Sequence, residues 1–247
     1  SYRPRRNVAA NRIAYLQTTG AQADIYTMKR DGTDKVKVTS NVKPNGFDLN
    51  EINIDWPENS DRIYFPNMDK LYQIRSNGQN LTLVYQTPDG SLISEMAVSE
   101  NANLIVLKTN DLNGYNVSFI TISKNGNFID TLISGLPGGA SGLDLSVDNT
   151  TIVYSYDVSE FQSNDYRRLN SRMFTYNLVT TDLVDISLNK PNGTNDLEPI
   201  FAPNEAFVIY TNTSNDGISR KDVYNLEIGE DDTRTLLYTD AFMPDWE

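Results

Sequence analysis

Histidine and cysteine are both absent from this sequence of 247 residues. Without histidine, no Ser-His-Asp triad and no histidine-ligated zinc site can form. Without cysteine there is no thiol nucleophile, thiolate ligand or disulfide. No stretch approaches the roughly 18 apolar residues of a membrane-spanning helix, so a membrane span is excluded. Any chemistry must therefore use carboxylates, Tyr, Lys or Arg.

Positive charge is scarce as well, since 21 Lys and Arg stand against 33 Asp and Glu, for a formal net charge of -12. A phosphate backbone rewards clustered positive charge, so this balance disfavours a nucleic-acid partner and suits cations or basic surfaces. The length fits one large domain. Residues 1–10 contain three Arg and no apolar core of a signal peptide, so they are predicted to be an N-terminal tail before a single domain over 11–247.

The sequence does contain a repeat of about 48 residues. Three pairs typical of tight hairpin turns, Asp31-Gly32, Asn77-Gly78 and Asn125-Gly126, lie 46 and 48 residues apart. A strand-like run recurs in five copies, at 24–26, 70–72, 116–118, 172–174 and 222–224. A second run lies one strand earlier in each copy, at 13–15, 63–65, 105–107, 152–154 and 208–210. This regular spacing indicates repeated β units.

Each unit is predicted to contain four short antiparallel strands. The innermost strand is marked by a large apolar residue seven positions before the second run, namely Trp56, Val98, Leu145 or Phe201. The first copy has no such residue upstream, and segment 241–246 is predicted to supply its missing strand and so to close a ring. We therefore predict an all-β fold, a β-propeller of five four-stranded blades, with six as the alternative count.

The repeat resembles that of the TolB-like propellers, whose pattern runs roughly Pro-x-Trp-Ser-Pro-Asp-Gly, Ile-Ala-Phe, Asp-Ile-Tyr and Asp-Gly. Residues 24–32, Asp-Ile-Tyr-Thr-Met-Lys-Arg-Asp-Gly, match the later elements, and 244–246, Pro-Asp-Trp, match the first. Trp56-Pro57 and 201–204 are similar to degenerate copies of the first element. The resemblance implies the propeller fold over nearly the whole chain. It leaves the function open, because such repeats serve envelope scaffolds, peptidase gating domains and sugar-active enzymes.

A binding surface is predicted on one face of the propeller, where the loops between blades emerge beside the loops between second and third strands. One of the latter, 157–171, is much longer than its counterparts. A loop of unusual length is often a functional one, so this loop is predicted to take part in binding. It contains aromatic and Arg residues of the types enriched at binding hot spots. The predicted contacts are Phe161, Tyr166, Arg167 and Arg168.

Four carboxylates at the starts of innermost strands are predicted to line or rim the central channel: Glu51, Glu95, Asp144 and Glu198. They could hold a hard cation such as calcium, because only oxygen ligands are available. They could instead act as acid and base in glycoside hydrolysis. The third interpretation is structural, with the carboxylates facing channel water or paired with donors.

These observations favour a non-catalytic binding module, a monomer located in the periplasm or at the cell surface, that engages a protein or an envelope polysaccharide. The catalytic alternative is a carbohydrate-active enzyme of the glycoside hydrolase type that uses the channel carboxylates. A sugar-binding lectin without turnover is the third. No cofactor other than the calcium considered above is expected.

Overall fold

The computed structural model describes residues 2–50, 52–159, 169–215, 219–230 and 233–244. Within these ranges the regular structure consists of β-strands, and no helix is long and apolar enough to cross a membrane. The strands form five separate antiparallel sheets, in each of which the strands pair in chain order. Five such meanders are the blades of a β-propeller, so the predicted all-β fold with five blades is confirmed.

The first compact unit comprises residues 1–114 and 118–134 and contains blades 1 to 3. Blade 1 consists of β1 (Tyr2–Asn7), β2 (Arg12–Thr19), β3 (Gln22–Lys29) and β4 (Val36–Lys37). Blade 2 consists of β5 (Arg62–Asn67), β6 (Lys70–Arg75) and β7 (Thr82–Gln86). Blade 3 consists of β8 (Leu92–Val98), β9 (Leu104–Asn110), β10 (Val117–Ser123) and β11 (Phe128–Leu136).

The second compact unit comprises residues 115–117 and 135–247 and contains blades 4 and 5. Blade 4 consists of β12 (Ala140–Leu145), β13 (Thr151–Asp157), β14 (Ser171–Asn177) and β15 (Leu183–Asp185). Blade 5 consists of β16 (Thr194–Phe201), β17 (Phe207–Ser214), β18 (Asp222–Glu227) and β19 (Thr235–Tyr238).

Blade 1 takes its innermost strand from the N-terminal segment, which corrects two expectations. Residues 1–10 were expected to be a tail, and segment 241–246 was expected to complete this blade. Instead β1 pairs with β2 through Arg5, Arg6 and Asn7, and the described part of 241–246 contains no strand. The sequence of β1, Tyr-Arg-Pro-Arg-Arg-Asn, has no alternation of apolar and polar residues, so hydrophobic patterning gives no signal for it.

Blade 2 is a three-stranded sheet, in which segment 52–56 replaces the fourth strand. A single bridge joins this segment to β5, where Asp55 and Tyr64 exchange N–H···O hydrogen bonds of 3.1 and 2.8 Å. The segment's polar side chains bind the next blade instead: the Asn53 amide exchanges hydrogen bonds with the backbone of Met96, and the Val98 N–H donates to Asp55 at 2.7 Å. Hydrogen bonding to β8 thus substitutes for part of the missing ladder.

The three predicted Asx-Gly turns are confirmed and share one geometry. In each, the Gly N–H donates to the carbonyl three residues earlier, at 2.8 to 2.9 Å, and the Gly lies at a φ of 77 to 82°. Two of these glycines also approach the outer edge of the preceding blade. A Cβ on Gly78 would lie 2.8 Å from the carbonyl oxygen of Val38, and one on Gly126 would lie 1.8 Å from that of Val84. Glycine is therefore required there for space as well as for φ.

The cores of the blades are built from the two central strands. Four blades place an aromatic pair at the same position, opposite one another on their second and third strands, with ring centroids 5.8 to 6.1 Å apart: Tyr15–Tyr26, Phe65–Tyr72, Tyr154–Phe174 and Tyr210–Tyr224. The predicted marker residue Trp56 is buried with Ile63 and Phe65, and Phe201 is buried with Val208 and Tyr210. The aromatic residues of the repeat are therefore mainly packing residues.

Candidate functional site

A polar depression of about 580 Å³ lies in the second unit, where loops of blades 4 and 5 meet. Ser159 and Asn170 come from the long β13–β14 connection, Asn192 from the loop between the blades, and Asn215 from the β17–β18 connection. These are the two kinds of loop that the repeat predicts on one face. Their convergence defines the candidate site, here called the blade 4/5 depression.

Two cations line the blade 4/5 depression among the residues that the structure describes. The guanidinium of Arg172, at the start of β14, is fixed by two hydrogen bonds. Its Nε donates to Asp185 at 2.5 Å, and its Nη2 donates to the carbonyl of Ser187 at 2.8 Å. Lys190 is half-buried and donates to the carbonyl of Thr194. Burial lowers the pKa of Lys190, and the positive charges of Arg172 and Arg234 lower it further, against the opposing effect of Asp196.

The carboxylates near the depression are hydrogen-bonded within the protein. Asp157 accepts from the N–H and hydroxyl of Ser159 and from the N–H of Asn170, at 2.6 to 3.0 Å. Asp185 accepts from Arg172 and from the N–H of Ser187. These bonds hold the loops in place and leave the lining richer in donors than in acceptors.

A buried network around Asp196 is linked to Arg172 through Ser187. Asp196 is fully buried and accepts two hydrogen bonds from Arg234, at 3.0 and 2.7 Å, one from Ser187 at 2.6 Å and one from Asn212 at 2.8 Å. Burial alone would lower the pKa of Arg234, but the Asp196 carboxylate raises it. Arg234 also donates to the Tyr210 hydroxyl at 2.7 Å. Asp196 is thus a structural carboxylate with a full set of donors.

The predicted contact residues Phe161, Tyr166, Arg167 and Arg168 lie outside the described residues, as does Glu51. Sequence reasoning missed Arg172 and Lys190. The available signal was their position: Arg172 begins the run at 172–174, and Lys190 lies between that unit and Phe201, the marker of the next one. Position in the repeat, rather than local motif chemistry, would have found them.

Glu95 belongs to a buried ion pair in the first unit. It lies on β8 opposite Lys108 on β9, and the Lys108 Nζ is 3.1 Å from its Oε2, with both side chains only 2 to 3% exposed. Arg3 on β1 approaches the other carboxylate oxygen at 3.7 Å. The charge of Glu95 is therefore opposed by protein cations.

Asp144 and Glu198 lie in the second unit, on the innermost strands of blades 4 and 5. Asp144 accepts a hydrogen bond from the N–H of Phe201 at 2.9 Å. The same bond joins Asp55 to the N–H of Val98. In both cases the Asp directly precedes the apolar marker of its own blade, and the donor is the marker of the next blade. Glu198 is half-buried, at a φ of 54°, with the Thr211 hydroxyl 3.5 Å from its Oε2. Within the described ranges no group of three or more acidic side chains is arranged to hold a metal ion. The calcium site remains a prediction.

The blades define a β-propeller, a fold that solved structures of TolB-like proteins share. The chain is similar to TolB from Acinetobacter baumannii, with a TM-score of 0.68 and 11% identity over 95% of this chain and 55% of that one. It is also similar to a chain of a nidogen/laminin complex, at 0.64 and 11% over 93% and 78%. An oligogalacturonate lyase in complex with manganese matches at 0.63 and 10% over 97% and 64%. No protein-family model and no curated protein matches the sequence.

These similarities concern the fold alone, since the identities are near one residue in ten. The chain spans 55% of the TolB chain and 64% of the lyase chain. The same architecture therefore occurs in proteins of binding and of enzymatic type.

Proposed function

We propose that this chain is a non-catalytic binding module that engages a protein or an envelope polymer through the face of blades 4 and 5 that carries the depression. Phe161, Tyr166, Arg167 and Arg168 are its proposed contacts from the β13–β14 connection, and the periplasm or cell surface is its proposed location. The observation that carries the proposal is the convergence of three connections on one polar depression with two cations.

The catalytic alternative, a carbohydrate-active enzyme, is supported by the lyase among the structural neighbours. The carboxylates proposed for it have structural partners, however: Glu95 has Lys108, and Asp144 has the N–H of Phe201. A general acid or base has to reach the substrate proton that it transfers. If the alternative holds, Glu198→Gln abolishes turnover of a glycan library, whereas under the binding proposal wild type and variant both show no turnover.

The test of the binding proposal is affinity capture from a cell-envelope extract with two loop variants. In the first, residues 160–168 are replaced by a short Gly-containing turn. In the control, residues 111–114, the corresponding β9–β10 connection of blade 3, are replaced in the same way. Both variants must melt at the same temperature as wild type.

Under the proposal, one protein or polymer is retained by wild type and by the control but not by the variant in 160–168. Equal retention by all three proteins contradicts it. A calcium ion at Glu51, Glu95, Asp144 and Glu198 is tested in the same samples, because a bound ion raises the melting temperature with its concentration.

A further inference from the structure

We propose that the blade 4/5 depression binds a short acidic saccharide, with the sugar carboxylate at Arg172 and Lys190 and the hydroxyls at the surrounding amides. This inference rests on the proposed function of the same face and names the chemistry of its ligand.

The two cations retain hydrogen-bonding capacity for a ligand. Arg172 uses Nε and Nη2 for Asp185 and the Ser187 carbonyl, and Nη1 has no acceptor among the described residues. The Lys190 ammonium, with three N–H groups, makes one hydrogen bond to a described residue, the carbonyl of Thr194. The guanidinium and the ammonium are therefore held in position, and each keeps N–H groups that can donate to a ligand. A carboxylate accepts charge-assisted hydrogen bonds from such donors.

The acidic groups nearby cannot replace a ligand carboxylate without losing existing bonds. Asp157 accepts three hydrogen bonds from Ser159 and Asn170, and Asp196 accepts four from Arg234, Ser187 and Asn212. In a chain of net charge -12, two cations and no carboxylate among the described lining residues are a local exception. The exception favours an anionic group of small size, because a long polyanion would meet the negative field of the remaining surface.

The other lining side chains favour a polyhydroxylated ligand over a peptide. The side-chain amides of Asn170, Asn192 and Asn215 both donate and accept hydrogen bonds, as neighbouring sugar hydroxyls do. The Ser159 hydroxyl donates to Asp157 and can still accept. Leu169 is the one apolar side chain among the described lining residues. Peptide interfaces depend on buried aromatic or aliphatic anchors, which the described lining residues do not provide. The volume of about 580 Å³ is in the usual range for a small-molecule site.

The experiment measures binding of four probes to the intact chain by ligand-observed NMR and calorimetry: glucuronic acid, glucose, inorganic phosphate and the peptide Glu-Glu-Glu. Asn192→Asp places a negative charge at an exposed lining position without changing side-chain size. Its control is Asn113→Asp, an exposed Asn that also precedes a Gly, in blade 3. Lys190→Gln removes one lining cation, and Lys124→Gln is its control at an exposed turn.

Glucuronic acid is expected to bind at least about tenfold more tightly than glucose, since one charge-assisted hydrogen bond contributes about that factor. Asn192→Asp and Lys190→Gln are each expected to weaken it about tenfold or more, while both controls bind as wild type does. The inference is overturned if glucose binds equally well, if phosphate binds as tightly as glucuronic acid, or if the peptide binds more tightly. It is also overturned if Asn192→Asp, which is exposed and should fold, leaves binding unchanged.

Failure of this inference is distinguishable from failure of the proposed function. If the loop variant in 160–168 loses its envelope partner while no acidic sugar binds, the binding face is retained and the ligand chemistry is rejected. If glucuronic acid binds but the loop variant retains every partner, the depression is a sugar site and the proposed partner surface is rejected.

Discussion

Replacing the turn glycines by alanine should separate two contributions to the loss of stability, the strain of a left-handed backbone and the steric collision of the added Cβ. Gly32, Gly78 and Gly126 occupy the same position in the same turn, with φ between 77 and 82°. A Cβ on Gly32 has no atom within 4 Å, whereas the nearest atom is 2.8 Å away at Gly78 and 1.8 Å away at Gly126. All three alanine variants carry the left-handed backbone strain, but only two also collide with the preceding blade.

The expected losses in free energy of unfolding follow this order. Gly32→Ala should cost about 1 kcal/mol, the backbone term alone. Gly126→Ala should cost about 3–4 kcal/mol, because overpacking adds about 1–3 kcal/mol and the obstacle is a backbone carbonyl that cannot rotate away. Gly78→Ala should lie between them. For a chain of this size, 1 kcal/mol corresponds to about 2–4 °C in melting temperature.

Urea denaturation followed by far-UV circular dichroism, with calorimetric melting as a second measure, tests the series. Gly32→Ala is the internal control, since it shares turn type, residue change and φ. Losses for Gly32→Ala and Gly126→Ala that agree within about 0.5 kcal/mol would refute the reasoning, because the contact between the turn of blade 3 and β7 would then contribute nothing.

Two further predictions concern charged groups of the first unit. Glu95→Leu and Lys108→Met should each cost about 3–5 kcal/mol, since each removes one member of a buried ion pair, and the double variant should cost clearly less than the sum. Additive losses in urea denaturation would contradict the pairing. Burial alone would raise the pKa of Asp24, but hydrogen bonds from Lys37 and Thr39 lower it below its ordinary value. A lowered folded-state pKa stabilises the protein at neutral pH and loses that contribution as pH falls below about 4–5, so Asp24→Asn should flatten the decline in melting temperature in this range. If Asp24→Asn shows the same decline in melting temperature at acid pH as wild type, the prediction is contradicted.

The repeat could be predicted from the sequence because its signals are local. Asx-Gly turns recur in the first three units and paired strand-like runs in all five. The structure places the turns as hairpins in blades 1 to 3 and the runs on the second and third strands of every blade. The innermost strands carry weaker signals. β1 is a polar, Arg-rich strand, and segment 52–56 is joined to its own blade by one bridge, so neither has the alternation on which strand prediction depends.

The loops that surround the candidate site could be predicted from the sequence, whereas the side chains that line it could not. Connection length and position in the repeat indicated the face, but the side chains that line the depression are common polar types in short loops. Carboxylates can act as acids, bases or metal ligands, yet Asp144 accepts a hydrogen bond from the backbone of the next blade and Glu95 pairs with Lys108. Whether a carboxylate faces a ligand or a neighbouring strand depends on cross-strand register and on contacts between blades, which lie far apart in the sequence.

The order of strands within the blades has a consequence for how the chain folds during its synthesis. Every sheet pairs strands that follow one another in the chain, and even β2 finds its innermost partner in β1, which ends at Asn7, five positions before β2 begins. Short loops cost little closure entropy, and local pairing is fast. A blade can therefore complete its hydrogen-bond ladder as soon as its own residues leave the ribosome, so translation order and pairing order coincide.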